Sequence, residues 1–357
     1  MKLRTFRFSP AVFLAAGLLL AGAAFAAAPK MPAAKAGTIG APAGQIAFIR
    51  DRDVWVMDVS GVNQRVVTRV QARTPDGMII GADGRLSWAP DGRRVAFTWS
   101  GLVDAKLPGG EGGRHKIYDI FVAYLDSAEQ KNTSWWRRLT GDLGSRDPEW
   151  SADGSRILFS KDMNANTVNA VSPNYQICTM DAEGGSLQIL RKDWQMTPGW
   201  MQSPTASPKG DVAFVLYTSQ SQAEGTTFNA AGIAIRPMAN FMASVDSLVA
   251  MCQRAPRAVA PCWSPDGKWI AFVDNRLTDG GLYIATPDFK EQYLVFAPPV
   301  STNLTTFQPS FSPDSKWLTF GTTDGSIWIC NIAGNGAKRI SGPGADMAPA
   351  WSKAPRK

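Results

Sequence analysis

One phrase recurs five times along this chain, and that repeat constrains the fold more tightly than any other feature. The copies are SWAPDGRRVAFTWS from Ser87, EWSADGSRILFSKD from Glu149, TASPKGDVAFVLYT from Thr205, CWSPDGKWIAFVDN from Cys262 and SFSPDSKWLTFGTT from Ser310. Each copy has one anchor residue, at Trp88, Trp150, Ala206, Trp263 and Phe311, at intervals of 62, 56, 57 and 48 residues. An apolar strand ends at the anchor, a turn of the Ser-Pro-Asp-Gly kind follows, and a second strand alternates apolar with polar residues. Proline presets φ in that turn, aspartate caps it, and glycine takes the left-handed position. Each phrase is therefore a hairpin with a short loop.

A third strand follows each hairpin: VWVMD from Val54, YDIFVAYLD from Tyr118, YQICTMD from Tyr175, GIAIRPM from Gly232, LYIAT from Leu282 and SIWICNI from Ser326. A fourth, shorter strand ends the unit, as in RVVT at Arg65, RRLT at Arg137 and KRIS at Lys338. Four strands per repeat with recurring turn chemistry describe a propeller blade. The first unit, QIAFIRDRDVWVMD from Gln45, lacks an anchor strand, while MAPAWSKAP from Met347 is an anchor strand without a unit. Joining the two gives an all-β fold, a six-bladed β-propeller of four-stranded antiparallel blades whose first blade is completed by the C-terminal strand. That closure pairs two edges that would otherwise be open. The ring spans 44–353, leaving 354–357 as a tail.

The W-S-P-D-G-like phrases at Trp88, Trp150 and Trp263, each followed by an apolar triplet ending in Phe, resemble the repeats of the TolB-type propeller family. The resemblance covers all of the folded chain but only the propeller half of TolB, which has a further N-terminal α/β domain. It implies a fold and, more loosely, a protein-binding role in the cell envelope. The same propeller type accompanies a hydrolase domain in prolyl oligopeptidase relatives, and here no G-x-S-x-G elbow is present.

The first residues point to export. Lys2, Arg4 and Arg7 precede an apolar run at 11–23, and Ala24-Phe25-Ala26 offers a small-x-small cleavage site. Residues 1–26 read as a signal peptide, with periplasmic or secreted localisation and no membrane span after cleavage. Residues 27–43, rich in Ala, Pro and Gly, read as a flexible linker whose trimming leaves the ring intact. The formal charge is +7, three of it in the signal peptide, and it is scattered singly. No Lys/Arg run of five or more exists, which excludes a nucleic-acid footprint.

Export permits disulfides. Cys252 and Cys262 flank a short Pro/Arg-rich loop and are either paired or simply small apolar residues. Cys178 and Cys330 read as buried free thiols. His115 is the single histidine and no CxxC spacing occurs, so neither a metal site nor a cofactor is expected.

On propeller geometry the second-to-third strand connections and the blade linkers share one face. The long insertions at 101–116, 162–174 and 219–231, with the linkers at 69–84 and 191–203, all enlarge that face. Loops on a rigid scaffold carry binding function. Arg85, Arg146, Asp147, Gln202, Gln308 and Asp346 precede their anchors and should rim the channel, while His115, Trp194 and Trp200 lie in or beside the enlarged loops. Pro148, Pro204, Pro261, Pro309 and Pro349 read as residues at strand starts. These features favour a monomeric, non-catalytic interaction module for a cell-envelope protein or peptide. The alternatives are recognition of carbohydrate or cell wall through exposed Trp, and a hydrolase or lyase working through carboxylates such as Glu111, Asp147 and Asp346.

Overall fold

The computed structural model of the chain describes residues 29–73, 79–105, 113–125, 136–165, 173–191, 200–222, 225–274, 281–298 and 309–353. The predicted signal segment, 1–26, lies outside the described residues. Six antiparallel blades form the ring. Blade I orders its strands β24 (Met347–Trp351), β1 (Gln45–Arg50), β2 (Asp53–Asp58) and β3 (Arg65–Val66). A two-residue strand β4 (Ala72–Arg73) leads into blade II, built from β5 (Ile79–Trp88), β6 (Arg94–Ala105), β7 (Gly113–Tyr124) and β8 (Trp136–Arg138). Blade III holds β9 (Ser145–Trp150), β10 (Arg156–Asp162), β11 (Tyr175–Asp181) and β12 (Gln188–Ile189). Blade V runs β16 (Ala258–Trp263), β17 (Ile270–Asp274), β18 (Gly281–Ala285), β19 (Gln292–Phe296). Blade VI runs β20 (Ser310–Phe311), β21 (Trp317–Thr322), β22 (Ser326–Asn331), β23 (Lys338–Ser341).

Blade IV varies the plan. Its strands β13 (Trp200–Ala206), β14 (Asp211–Gln222) and β15 (Gly225–Pro237) are followed by helix α2 (Val245–Cys252) where the others place a fourth strand. Ser244 caps that helix, its hydroxyl accepting from the Ser247 amide. A one-turn helix α1 (Ala33–Ala36) precedes the ring. No helix of the described residues is long and apolar enough to cross a membrane.

The repeated turns fold as their chemistry demands. Asp91, Asp153, Asp266 and Asp314 each accept the amide two residues on, at 2.8–3.1 Å. Gly92, Gly154, Gly210 and Gly267 follow in the left-handed region, and Ser315 takes the same conformation where the copy lacks glycine. The anchors Trp88, Trp150, Trp263, Phe311 and Trp351 are all buried. Hydroxyls just before an anchor stitch neighbouring blades together. Ser87 Oγ accepts from the Trp150 amide, Thr205 Oγ1 from Trp263 and Ser310 Oγ from Trp351. Each blade interface holds its own apolar cluster, with a second, smaller one between blades IV and V, so the core is distributed around the ring.

The inner strands share a kink. Asp147, Ser203, Ala260 and Ala348 adopt positive φ at bulges, each followed by proline. Pro148, Pro204, Pro261 and Pro349 are therefore bulge residues inside strands. Proline fits there because a bulge breaks the ladder and asks for no N–H.

One open alternative is decided and one further expectation is corrected. Cys252 and Cys262 are free and buried in separate clusters, one under α2 and the other between blades V and VI. Burial pushes both thiols up, Cys252 to about 12 and Cys262 to about 11. Residues 29–43 are not a free linker but a strap across blades V, VI and I. Pro29 O accepts from Leu294 N at 3.1 Å, and Ala36 O accepts from Lys316 Nζ at 2.7 Å. Further along, Gly40 O accepts from Trp317 Nε1 and Ala43 O from Trp351 Nε1. Met31 is buried between blades V and VI. The strap is held by its carbonyls, which composition cannot reveal. Met31→Ala is expected to cost about 2 kcal/mol in a urea titration, and Met31→Leu much less.

Candidate functional site

Two of the three insertions are strand extensions rather than loops. The β6–β7 hairpin stays paired to Ala105 opposite Gly113, and β14–β15 to Gln222 opposite Gly225. They rise from the same face on blades II and IV, with blade III between them. His115 belongs to the first, its backbone paired with Val103.

Between the hairpins, side chains from three blades converge. Arg146 is the second residue of the inner strand β9 of blade III, and its guanidinium lies 4.9 Å from the Tyr118 ring and 5.9 Å from the Tyr175 ring. Tyr175 meets Trp200 edge-on at 6.0 Å, and Trp200 meets Tyr217 at 6.3 Å. The result is a cation sandwiched in an aromatic floor, each such contact worth about 0.5–2 kcal/mol. Asp147 sits beneath, with Oδ2 3.4 Å from Arg146 Nε. The bulge aims it inward, where its amide donates to Thr98 Oγ1 at 3.0 Å and its carboxylate accepts from Ser160 Oγ at 3.5 Å. The field of Asp147 raises the Arg146 pKa, so this guanidinium is a permanent charge. Burial pushes the Tyr175 phenol up to about 12, and burial with Asp147 raises Tyr217 as well, so both stay neutral. Lys116, 5.1 Å from the Tyr118 ring, extends the cationic rim and bonds Asp83 at 2.8 Å. Burial alone would raise Asp83, but Lys116 and Arg52 hold it below the usual carboxylate range.

The remaining predicted residues go elsewhere. Asp346 is bound bidentately by Arg50, at 2.6 and 2.7 Å, and Arg50 itself stacks on Phe48 and Trp55. That pair ties the closing strand to blade I. Gln202 is half-buried in β13, one residue before the bulge. Trp194, Gln308 and Glu111 lie outside the described residues.

Arg85 points into the channel. Its Nη2 bonds Glu149 Oε2 at 2.6 Å and its Nη1 donates to Pro204 O, while Lys353 Nζ reaches Glu149 Oε1 at 3.2 Å. Arg85 and Glu149 are buried, Lys353 is half-buried beside them, and together they line a cavity of about 50 Å³ between the inner strands. Glu149, Lys353 and the tyrosines escaped the sequence reading. Glu149 did leave a signal. It stands just before its anchor, where Ser87, Thr205 and Ser310 supply hydroxyls.

No family model matches the sequence, and no curated protein matches it. The fold does have counterparts among solved structures. TolB from Acinetobacter baumannii superposes with a TM-score of 0.58 at 18% identity, over 87% of this chain and 66% of that one. A putative TolB from Agrobacterium tumefaciens gives a TM-score of 0.52 at 16% identity, covering 88% and 92%. A chain of a nidogen/laminin complex gives 0.53 at 9% identity, covering 86% and 98%. This chain thus spans just under two thirds of the Acinetobacter TolB, and what it shares with these proteins is the six-bladed propeller.

Proposed function

We propose that this chain is an exported, non-catalytic propeller that binds a cell-envelope protein or peptide between its two raised hairpins. One observation carries the reading: Tyr118, Arg146, Tyr175, Trp200 and Tyr217 converge from three blades onto the floor between those hairpins. Aromatic and arginine side chains dominate the energetics of protein interfaces. The rings are held by strands, so little side-chain entropy is lost on contact. With His115 as the chain's single histidine, no His-dependent relay is available, which favours binding over catalysis.

The test is affinity capture from envelope extract at physiological salt, followed by titration of the recovered partner. Trp200→Ala should weaken the partner by about 30-fold, the mark of a contact worth about 2 kcal/mol. Arg146→Ala should do the same with a circular-dichroism spectrum unchanged from wild type. A partner retained equally by both variants would sink the assignment of this face.

A further inference from the structure

Blade IV gives up its outer strand, and the helix that replaces it leaves a cavity on the flank of the ring beside blade V. The cavity measures about 670 Å³. That falls in the range of about 300–1,000 Å³ typical of small-molecule sites. One wall is the turn after α2, residues 253–257, and the other is the flank of blade V. Phe272 and Tyr283 line the back, both buried, their rings stacked at 5.7 Å and 14°. Tyr293 closes one side.

The rim is cationic. Arg254, Arg257 and Lys290 line the opening and are exposed. Arg257 makes no ion pair among the described residues, and Arg254 makes one long contact, 3.4 Å to the Asp288 carbonyl. The two carboxylates at the cavity are already used. Glu291 is bridged by Lys35, whose hydrogen bond keeps that carboxyl below its usual range, and Asp274 is engaged as well. Arg257 is also held at φ 61° on the lip, a conformation that side-chain-bearing residues adopt at a cost.

We infer that this cavity binds a small aromatic carboxylate, its ring against Phe272 and Tyr283 and its anion held by Arg254 and Arg257. The apolar back wall rewards a flat ring, and the Arg257 guanidinium beside it, without an ion pair among the described residues, rewards a carboxylate through charge-assisted hydrogen bonds. Lys290, which also pairs with Asp288 at 3.5 Å, adds a third positive charge at the opening. The site shares no residue with the face between the hairpins, so either assignment stands or falls without the other.

The probes are indole-3-acetate, its neutral amide and the amine tryptamine, titrated into the purified chain by calorimetry and by saturation-transfer NMR. Indole-3-acetate should bind saturably, with the amide and the amine at least about tenfold weaker. The charge-reversed pair Arg254→Glu/Arg257→Glu should lose at least about tenfold in affinity, while Lys338→Glu, on blade VI and outside the cavity lining, leaves it unchanged. Should the reversed pair melt early, Arg254→Ala/Arg257→Ala must show the same direction of loss. Equal affinity for all three probes, no saturation by the acetate, or an equal loss in Lys338→Glu would overturn the site.

Discussion

Deleting residues 347–357 is expected to abolish the cooperative unfolding of the entire ring, not of one blade. The segment is the inner strand of blade I, with Trp351 opposite Ile46 and Ala350 opposite Ala47. Trp351 fills the cluster between blades VI and I, while Ala348 and Ala350 belong to the cluster between blades I and II. The strand also carries bonds to both neighbours: Trp88 Nε1 donates to Ala350 O at 2.9 Å, and Trp351 N to Ser310 Oγ at 2.9 Å. Loss of a buried tryptophan alone costs about 3–5 kcal/mol, against a total stability of about 5–15 kcal/mol for an ordinary domain. Deletion adds an open strand edge on β1, which invites aggregation. The measurement is urea unfolding followed by Trp fluorescence, with size-exclusion chromatography of the truncated chain. A truncated ring with the wild-type midpoint and slope would show that closure through β24 does not hold the fold.

Replacing Glu149 should be the most costly single polar substitution in the channel. The carboxylate is buried between Arg85 and Lys353, and Glu149→Leu leaves two cations facing each other without their anion. Breaking such a buried pair from one side costs about 3–5 kcal/mol. The triple variant Arg85→Leu/Glu149→Leu/Lys353→Met should recover most of that loss, because it removes all the charges together. Burial by itself would raise this carboxyl, but Arg85 and Lys353 more than offset it and its pKa lies below the ordinary value of 4.5. The stability it contributes is therefore complete above about pH 4.5 and is lost as pH falls through the lower folded value. Unfolding free energy measured from pH 6 down to pH 3 should fall more steeply for wild type than for Glu149→Gln. Equal slopes would mean that the carboxylate is not ionised in the folded ring.

The parts of the fold that local chemistry writes were legible. Proline, aspartate and glycine in the turns, the periodic anchors and the orphan strand at Trp351 gave six blades and their closure. Helix α2 was hidden by the repeat itself, because a template of four strands expects another strand after GIAIRPM. Its own signals were present in the capping Ser244 and in Leu248 and Cys252, four residues apart on one face. The candidate site was only half legible. Arg146, Asp147 and Trp200 announce themselves by position, whereas Tyr118, Tyr175 and Tyr217 read as ordinary alternating strand residues. Only the stacking of blades II, III and IV brings them around one guanidinium.

The strand pairing of blade I also sets a clock. A chain synthesised from its N-terminus releases β1 early and β24 last, so the inner position of blade I stays vacant until residue 351 emerges. Throughout that interval the nascent arc ends in two apolar flanks, one around Phe48 and Trp55, the other around Ile327 and Ile329, that only each other can cover. Completion is thus all or none. A product that stops before Trp351 cannot close, and it presents sticky flanks to the proteases and chaperones of its compartment.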